Sequence, residues 1–250
     1  MAPLLEAQDL RKIFGRLAAV AGVSLNLAEG TLTAIIGPNG AGKTTLINLL
    51  TGLFTPDAGW IRFKGQDITR VPPHGRVRLG LSRSFQIMTI FPNLTVHQNL
   101  LLPTLSRHGL NARALARLDG ATEANAEADG LLREIGLWGQ RDVRAGALSH
   151  GDQRLLELGI AVGTQPELCF LDEPCAGMNP VERQAVLGLM RKLSGSGGTT
   201  FVVVEHDMDV VFALAERIIV MNQGQVLADG SPVEIRENRE VREIYLGTEV

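Results

Sequence analysis

The residues Gly37-Pro38-Asn39-Gly40-Ala41-Gly42-Lys43-Thr44, with Thr45 next, fit the pattern G-x-x-x-x-G-K-[ST] position for position. Leu32-Thr33-Ala34-Ile35-Ile36 runs before them, apolar and of strand length, and after them Leu46, Ile47, Leu49 and Leu50 recur at helical spacing. A chance glycine-rich turn would need neither flanking element. Glycines let consecutive backbone N–H groups converge on phosphate oxygens without bulk, and the helix adds its positive N-terminal end. Lys43 is then expected to reach the β- and γ-phosphates, and Thr44 to hold Mg²⁺ through its hydroxyl. The stretch reads as a nucleotide phosphate site.

With 250 residues, 45% of them hydrophobic, the chain is long enough for one large α/β domain or two small ones. A net charge of −3 gives no electrostatic footprint for nucleic acid, and the cluster Arg76, Arg78 and Arg83 reads as solvated surface. No apolar run approaches the roughly 18 residues of a membrane span, and Met1 to Leu10, with Glu6 and Asp9, lacks a signal pattern. Cys169 and Cys175 have no nearby His or second Cys pair, which argues against zinc and fits a reducing cytoplasm. A soluble intracellular chain is expected.

Val23, Leu25 and Leu27 alternate with polar or small residues, and Leu4 to Leu10 is expected to pair with them as an antiparallel edge. Phe14-Gly15 lies between: an aromatic that serves either a satellite core or, by stacking, a nucleobase. Thr55 to Gly59 turns into a strand at Trp60 to Phe63, and Lys64 to Asp67 turns again. Ser82 to Gln86 reads as a strand ending on a polar residue. The loop Ile87 to Pro92 is unusually apolar, which suits a partner surface or the core equally. From Thr95 to Gly136 the pattern is helical, with Arg107 to Gly120 an exposed connection. Ala124, Ala128, Leu131, Leu132 and Ile135 mark one helix, giving a helical subdomain inserted into an α/β core.

Ser149 is a good N-cap for the helix that follows, with Asp152 resembling the second half of a capping box. The same helix start offers anion donors. Leu168 to Asp172 reads as a parallel strand covered on both faces, and its end carries Asp172-Glu173, where α/β sheets bind ligands. Asp172 suits ordering Mg²⁺, and Glu173 suits orienting or deprotonating a water. Thr199 to Val204 is a second such strand, ending in Glu205-His206-Asp207, so His206 shares the sheet edge with the phosphates. Ile218 to Met221 and Gln225 to Leu227 form a hairpin over Asn222-Gln223-Gly224. Ser231-Pro232-Val233-Glu234 opens a single C-terminal helix carrying Ile235, Val241, Ile244 and Leu246.

Taken together, these motifs in this order resemble the ATP-binding subunits of ABC transporters over essentially the whole chain. The resemblance rests on the phosphate loop, Gln86, Leu148 to Gln153, Leu171-Asp172-Glu173, Gly177-Met178-Asn179 and His206. It implies a P-loop NTPase (RecA-like) core at 1–94 and 163–230, with an antiparallel β subdomain. A helical subdomain at 95–162 and a C-terminal helix at 231–250 complete a single nucleotide-binding domain. Phe14 would stack on adenine and residues 37–45 would bind ATP. Thr44, Gln86 and Asp172 would hold Mg²⁺; Glu173 would be the general base, and His206 would hold the γ-phosphate. Ser149, His150, Gly151 and Gln153 would cap ATP held by a second ATP-binding subunit, with Asn179 in the linking segment of the dimer interface. His150, Asp152 and Asn179 stand where the family often has Gly, Gly or Gln, and Asp.

Gly80 to Gln86, Pro180, Asn222-Gln223-Gly224 and the tail Tyr245-Leu246-Gly247 look like the ATPases of branched-chain amino acid importers. Similar tails occur in urea, amide and lipopolysaccharide-export ATPases. The expected partners are transmembrane permeases docked near Gln86 to Pro103 and, indirectly, a periplasmic or extracellular solute-binding protein, with no nucleic acid. The expected location is the inner face of the membrane.

Overall fold

The phosphate loop hangs from the middle of a parallel sheet. The computed structural model describes residues 3–83, 90–109, 122–195 and 198–246. In chain order its strands and helices are β1 (Leu5–Phe14), β2 (Leu17–Leu27), β3 (Leu32–Ile36), α1 (Lys43–Leu50), β4 (Ala58–Phe63), β5 (Gln66–Asp67), α2 (Pro73–Arg78) and β6 (Leu81–Arg83). Then come α3 (Val96–Arg107), α4 (Thr122–Glu134), α5 (His150–Val162), β7 (Leu168–Asp172), α6 (Pro180–Gly195) and β8 (Thr200–Val204). The chain closes with α7 (Met208–Leu214), β9 (Arg217–Asn222), β10 (Gln225–Gly230), α8 (Pro232–Glu237) and α9 (Arg239–Leu246).

The larger sheet runs β10-β9-β3-β8-β7-β6, parallel except for the β9–β10 hairpin. Every residue of β3, β7 and β8 is buried, as unbroken apolar runs require of strands covered on both faces. Alternation survives inside these strands as a choice of core. Cys169, Leu171, Phe201 and Val203 face the layer containing α3 to α6, whereas Leu168, Phe170, Val202 and Val204 face α1 and the smaller sheet. The third core, with Ala34, Ile36, Val211, Ile218 and Val220, is closed by Ile235 and Val241.

The smaller sheet, β2-β1-β4-β5, is antiparallel, with Leu5 opposite Leu27 and Leu10 opposite Val23. The pairing is as expected, but β1 is no edge: it lies between β2 and β4 and runs on to Phe14. In the helical subdomain Thr95 and Gln98 form a full capping box on α3, and α4 buries Ala124, Ala128 and Leu132. Ser84 to Gln86, with Ile87 to Thr89, and most of the expected connection at 107–120 lie outside the described residues.

Two further expectations change. The single C-terminal helix is two, because Asn238 leaves helical geometry and its Oδ1 accepts the Val241 N–H at 3.1 Å, starting α9. Arg76 is not solvated surface but 1% exposed, its guanidinium donating to the carbonyls of Leu49, Leu50, Ile68, Thr69 and Val71. Leu49 and Leu50 end α1, so a cation meets the negative end of the phosphate-loop helix. Arg83 is also mostly covered, whereas Arg78 is exposed. Among the described residues, no helix is long and apolar enough to cross a membrane.

Candidate active site

A cavity of about 390 Å³ opens over the phosphate loop. Asn39 to Thr45 form its floor, Phe14, Leu17 and Ala19 of the β1–β2 hairpin one wall, and Asp172, Glu173, Val204 and His206 the other. The hairpin crosses so close that a Cβ on Gly42 would stand 2.2 Å from the Ala19 carbonyl oxygen. Gly42 also has φ +97° as it caps α1, so glycine is required twice over. Gly37 and Pro38 stand behind the floor, where their carbonyls accept from Lys43 Nζ at 2.7 and 3.0 Å. Burial lowers the Lys43 pKa, against the opposite pull of Glu173 and Asp172. Phe14, 44% exposed, lines the cavity, its ring steeply inclined to that of Phe54 with centroids 5.6 Å apart.

Asp172 closes β7 and is buried, which pushes its carboxyl up; the chief opposing influence is Arg83. Arg83 Nη2 donates to Asp172 Oδ2 at 3.4 Å, and Nη1 to Asn48 Oδ1 at 2.5 Å. The pair therefore ties the strand-end carboxylate to α1. Glu173 takes the left-handed conformation, φ +51°, a strain of about 1–3 kcal/mol for a residue with a side chain. Its N–H donates to the Val204 carbonyl at 2.9 Å, and its Oε1 lies 3.3 Å from His206 Nδ1. Glu173 thus leaves the sheet axis and turns its carboxylate toward the end of β8.

The residues expected to serve a partner's nucleotide are not among those lining this cavity. Ser149 and His150 are exposed at the start of α5, where Ser149 Oγ accepts the Asp152 N–H at 3.1 Å. The capping box is only half formed, because the Asp152 carboxylate instead accepts from Gln140 Nε2 at 3.1 Å. Gly151 is buried, and a Cβ there would lie 2.6 Å from the Glu182 side chain. Gln153 Nε2 donates to the Leu148 carbonyl at 3.2 Å. Asn179 opens α6: its Oδ1 accepts from Val181 and Glu182 N–H, while Glu182 Oε2 accepts the Asn179 N–H at 3.1 Å. Gln86 lies outside the described residues.

A sequence profile described as "ABC transporter" matches residues 20–176, which carry the phosphate loop, Ser149 to Gln153 and Asp172-Glu173. The chain belongs to the ABC transporter ATPase family. A second profile, for the branched-chain amino acid ATP-binding cassette transporter, matches residues 225–250. The high-affinity branched-chain amino acid transport ATP-binding protein BraF of Pseudomonas aeruginosa is 41% identical, with 98% of each chain covered. LivG of Escherichia coli K12, similarly described, is 40% identical at the same coverage. The lipopolysaccharide export system ATP-binding protein LptB of Acidithiobacillus ferridurans is 34% identical over 99% of this chain and 98% of its own. Among solved structures, the ADP conformation of an ATP-binding cassette of an ABC transporter superposes with a TM-score of 0.86 at 32% identity, covering 99% of this chain and 100% of the other. A nucleotide-free cassette gives 0.85 at 32% identity, with 98% and 99% covered. As an ABC transporter ATPase, the chain hydrolyses ATP on a P-loop NTPase fold.

Sequence reasoning missed two residues that stand behind the cavity's lining: Arg83, on Asp172, and Glu205, whose Oε1 accepts the Cys175 N–H at 3.1 Å. Arg83 carried a signal, being an arginine inside an otherwise strand-like run. Glu205 was masked by its neighbour His206, and its direction follows only from how β8 ends.

Proposed function

We infer that this chain powers a membrane importer of branched-chain, hydrophobic amino acids by hydrolysing ATP. The observation that carries the chemistry is the one cavity shared by residues 39–45, Asp172, Glu173 and His206. In this reading the loop N–H groups and Lys43 hold the phosphates, and Phe14 stacks on adenine. Lys43 exchanges its two loop carbonyls for phosphate oxygens. Thr44 and Asp172 face the same space with a hydroxyl and a carboxylate, the hard oxygen donors that suit Mg²⁺ beside substrate phosphates. The ion, when bound, neutralises charge on the β- and γ-oxygens. Glu173 takes the proton of the attacking water as the water oxygen bonds to the γ-phosphorus and the bond to the bridging oxygen breaks in line, releasing ADP. His206 holds the γ-phosphate; Gln86, outside the described residues, would help to hold Mg²⁺ and the water.

Ser149, His150, Gly151 and Gln153 cap the ATP of a second ATP-binding subunit, and Asn179 links the two sites. Their separation from the cavity and the exposed start of α5 support a shared site of this kind. Closure of the dimer drives permease subunits on the inner face of the membrane, which receive cargo from a solute-binding protein. The match at 225–250 and the relatives at 40–41% identity support this cargo.

Light scattering on Glu173→Gln tests the shared site: ATP should produce dimers that are lost when Ser149→Ala is added. A homodimer that forms equally well without Ser149 would refute the capping role. Cargo is tested by capturing the permeases with this chain and measuring ATPase stimulation in proteoliposomes. Leucine-loaded binding protein should stimulate; stimulation by urea or lipopolysaccharide instead would overturn the cargo.

A further inference from the structure

His206 and Glu205 are neighbours at the end of β8, yet one is 65% exposed at its side chain and the other is a buried carboxylate. Between them they grip one turn. His206 meets the Glu173 carboxylate from the cavity side, while Glu205 Oε1 accepts the Cys175 N–H from beneath at 3.1 Å. The turn is otherwise held by Glu173 N–H on the Val204 carbonyl and by Ala176 N–H on the Glu173 carbonyl. It contains the strained Glu173, φ +51°, and strain of this kind persists only where surrounding bonds over-determine it. Both gripping residues directly follow β8, the strand next to β7, with Asp172 paired to Val204.

We propose that Glu205 is a positioning residue for Glu173: by accepting the Cys175 N–H it locks the 173–176 turn in the form that aims the Glu173 carboxylate into the cavity. The inference rests on the reading of Glu173 as the residue that handles the attacking water. Glu205 is buried and is not among the residues lining the cavity. It acts through the backbone, two residues beyond Glu173. An ionised carboxylate is buried here at an energetic disadvantage, and burial indeed raises its pKa, against the pull of the Cys175 N–H. An apolar residue would fill the space more cheaply but would leave the Cys175 N–H without this acceptor. Cys175 itself adds no reactive group, its thiol being pushed up to about 12 by burial and then by Glu205.

The test uses the full chain with Glu205→Ala, Glu205→Gln, Glu205→Asp and, as reference, Glu173→Gln. Three quantities are read: amide hydrogen exchange in peptides covering 173–178, ATP affinity, and basal Mg²⁺-dependent turnover with its KM. Glu205→Ala should speed exchange of the turn about tenfold. It should lower turnover about 10–100-fold, the scale of a small misplacement of a reacting group, while KM stays within about twofold. Glu205→Gln keeps an acceptor oxygen and should stay within about threefold of wild type. Glu205→Asp keeps the charge but withdraws the acceptor, and should resemble Ala; it carries the test if Glu205→Ala does not fold. Unchanged exchange and turnover in Glu205→Ala, or Gln as damaging as Ala, would overturn the proposal. Near-normal turnover in Glu173→Gln would instead remove the reading it rests on, and the exchange data would still report on the turn.

Discussion

His206 Nδ1 lies 3.3 Å from Oε1 of Glu173, bridging the ends of two neighbouring parallel strands. The contact depends on the left-handed turn at Glu173, which swings its carboxylate sideways toward β8.

Glu173→Gln keeps the shape of that contact and removes the carboxylate proposed as the base. Turnover should fall about 10²–10⁴-fold, the usual worth of a general base, with ATP binding retained. Phosphate release and a nucleotide titration on the same preparation check both halves. Turnover near wild type would contradict the assignment.

Lys43 Nζ donates to the carbonyls of Gly37 and Pro38, so the backbone of the loop itself holds its ammonium. Lys43→Ala removes a charge-assisted contact worth about 1.5–3 kcal/mol. ATP affinity should weaken by about 10–100-fold. Calorimetric titration with ATP is the direct check, and an unchanged Kd would sink the role.

Arg76 satisfies buried carbonyls at the end of α1 and in residues 68–71, and burial lowers its pKa only to about 10, so it stays charged at neutral pH. Arg76→Met strands several of those acceptors, each costing about 1–3 kcal/mol. For a loss of about 3 kcal/mol the melting temperature should drop by about 6–12 °C. A melt within about 2 °C of wild type would show that the carbonyls find other partners.

Burial raises the Glu205 carboxyl above the ordinary glutamate value, so the folded chain keeps a proton that the unfolded chain releases. Stability from this group is therefore present below the ordinary value and lost as pH rises through the folded one. Glu205→Gln removes the titration. Its melting temperature should gain on wild type as pH rises above the ordinary glutamate value. A difference that stays constant with pH would argue that Glu205 titrates normally.

Features written at short range in the chain were legible in its sequence. The loop at 37–45 follows from glycine spacing, the buried strands at β3, β7 and β8 from apolar runs without alternation, and the start of α8 from Ser231, Pro232 and Glu234. Each depends on neighbours within a few residues, where backbone sterics and period decide the outcome. The break at Asn238 is local too: Ile235 and Val241, six residues apart, do not share one face of a continuous helix, and Asn238 Oδ1 accepts the Val241 N–H to start α9.

Tertiary structure alone decided what surrounds the phosphates. Arg83 and Asp172 are 89 residues apart in the chain, and Glu205 and Cys175 are 30 apart. Strand order and register bring these pairs together, and neither is encoded by local spacing. The same holds for Arg76, which sequence reads as surface charge because local spacing does not show that its guanidinium is buried. Two of its acceptors are the Leu50 and Leu49 carbonyls at the end of α1, 26 and 27 residues away, and they join the nearby carbonyls of Ile68, Thr69 and Val71 only once that helix ends beside them. The sequence by itself determined that phosphate could bind, because a glycine-rich turn before a helix makes that site from backbone alone. Which carboxylate is aimed, and what holds it there, waited on long-range packing.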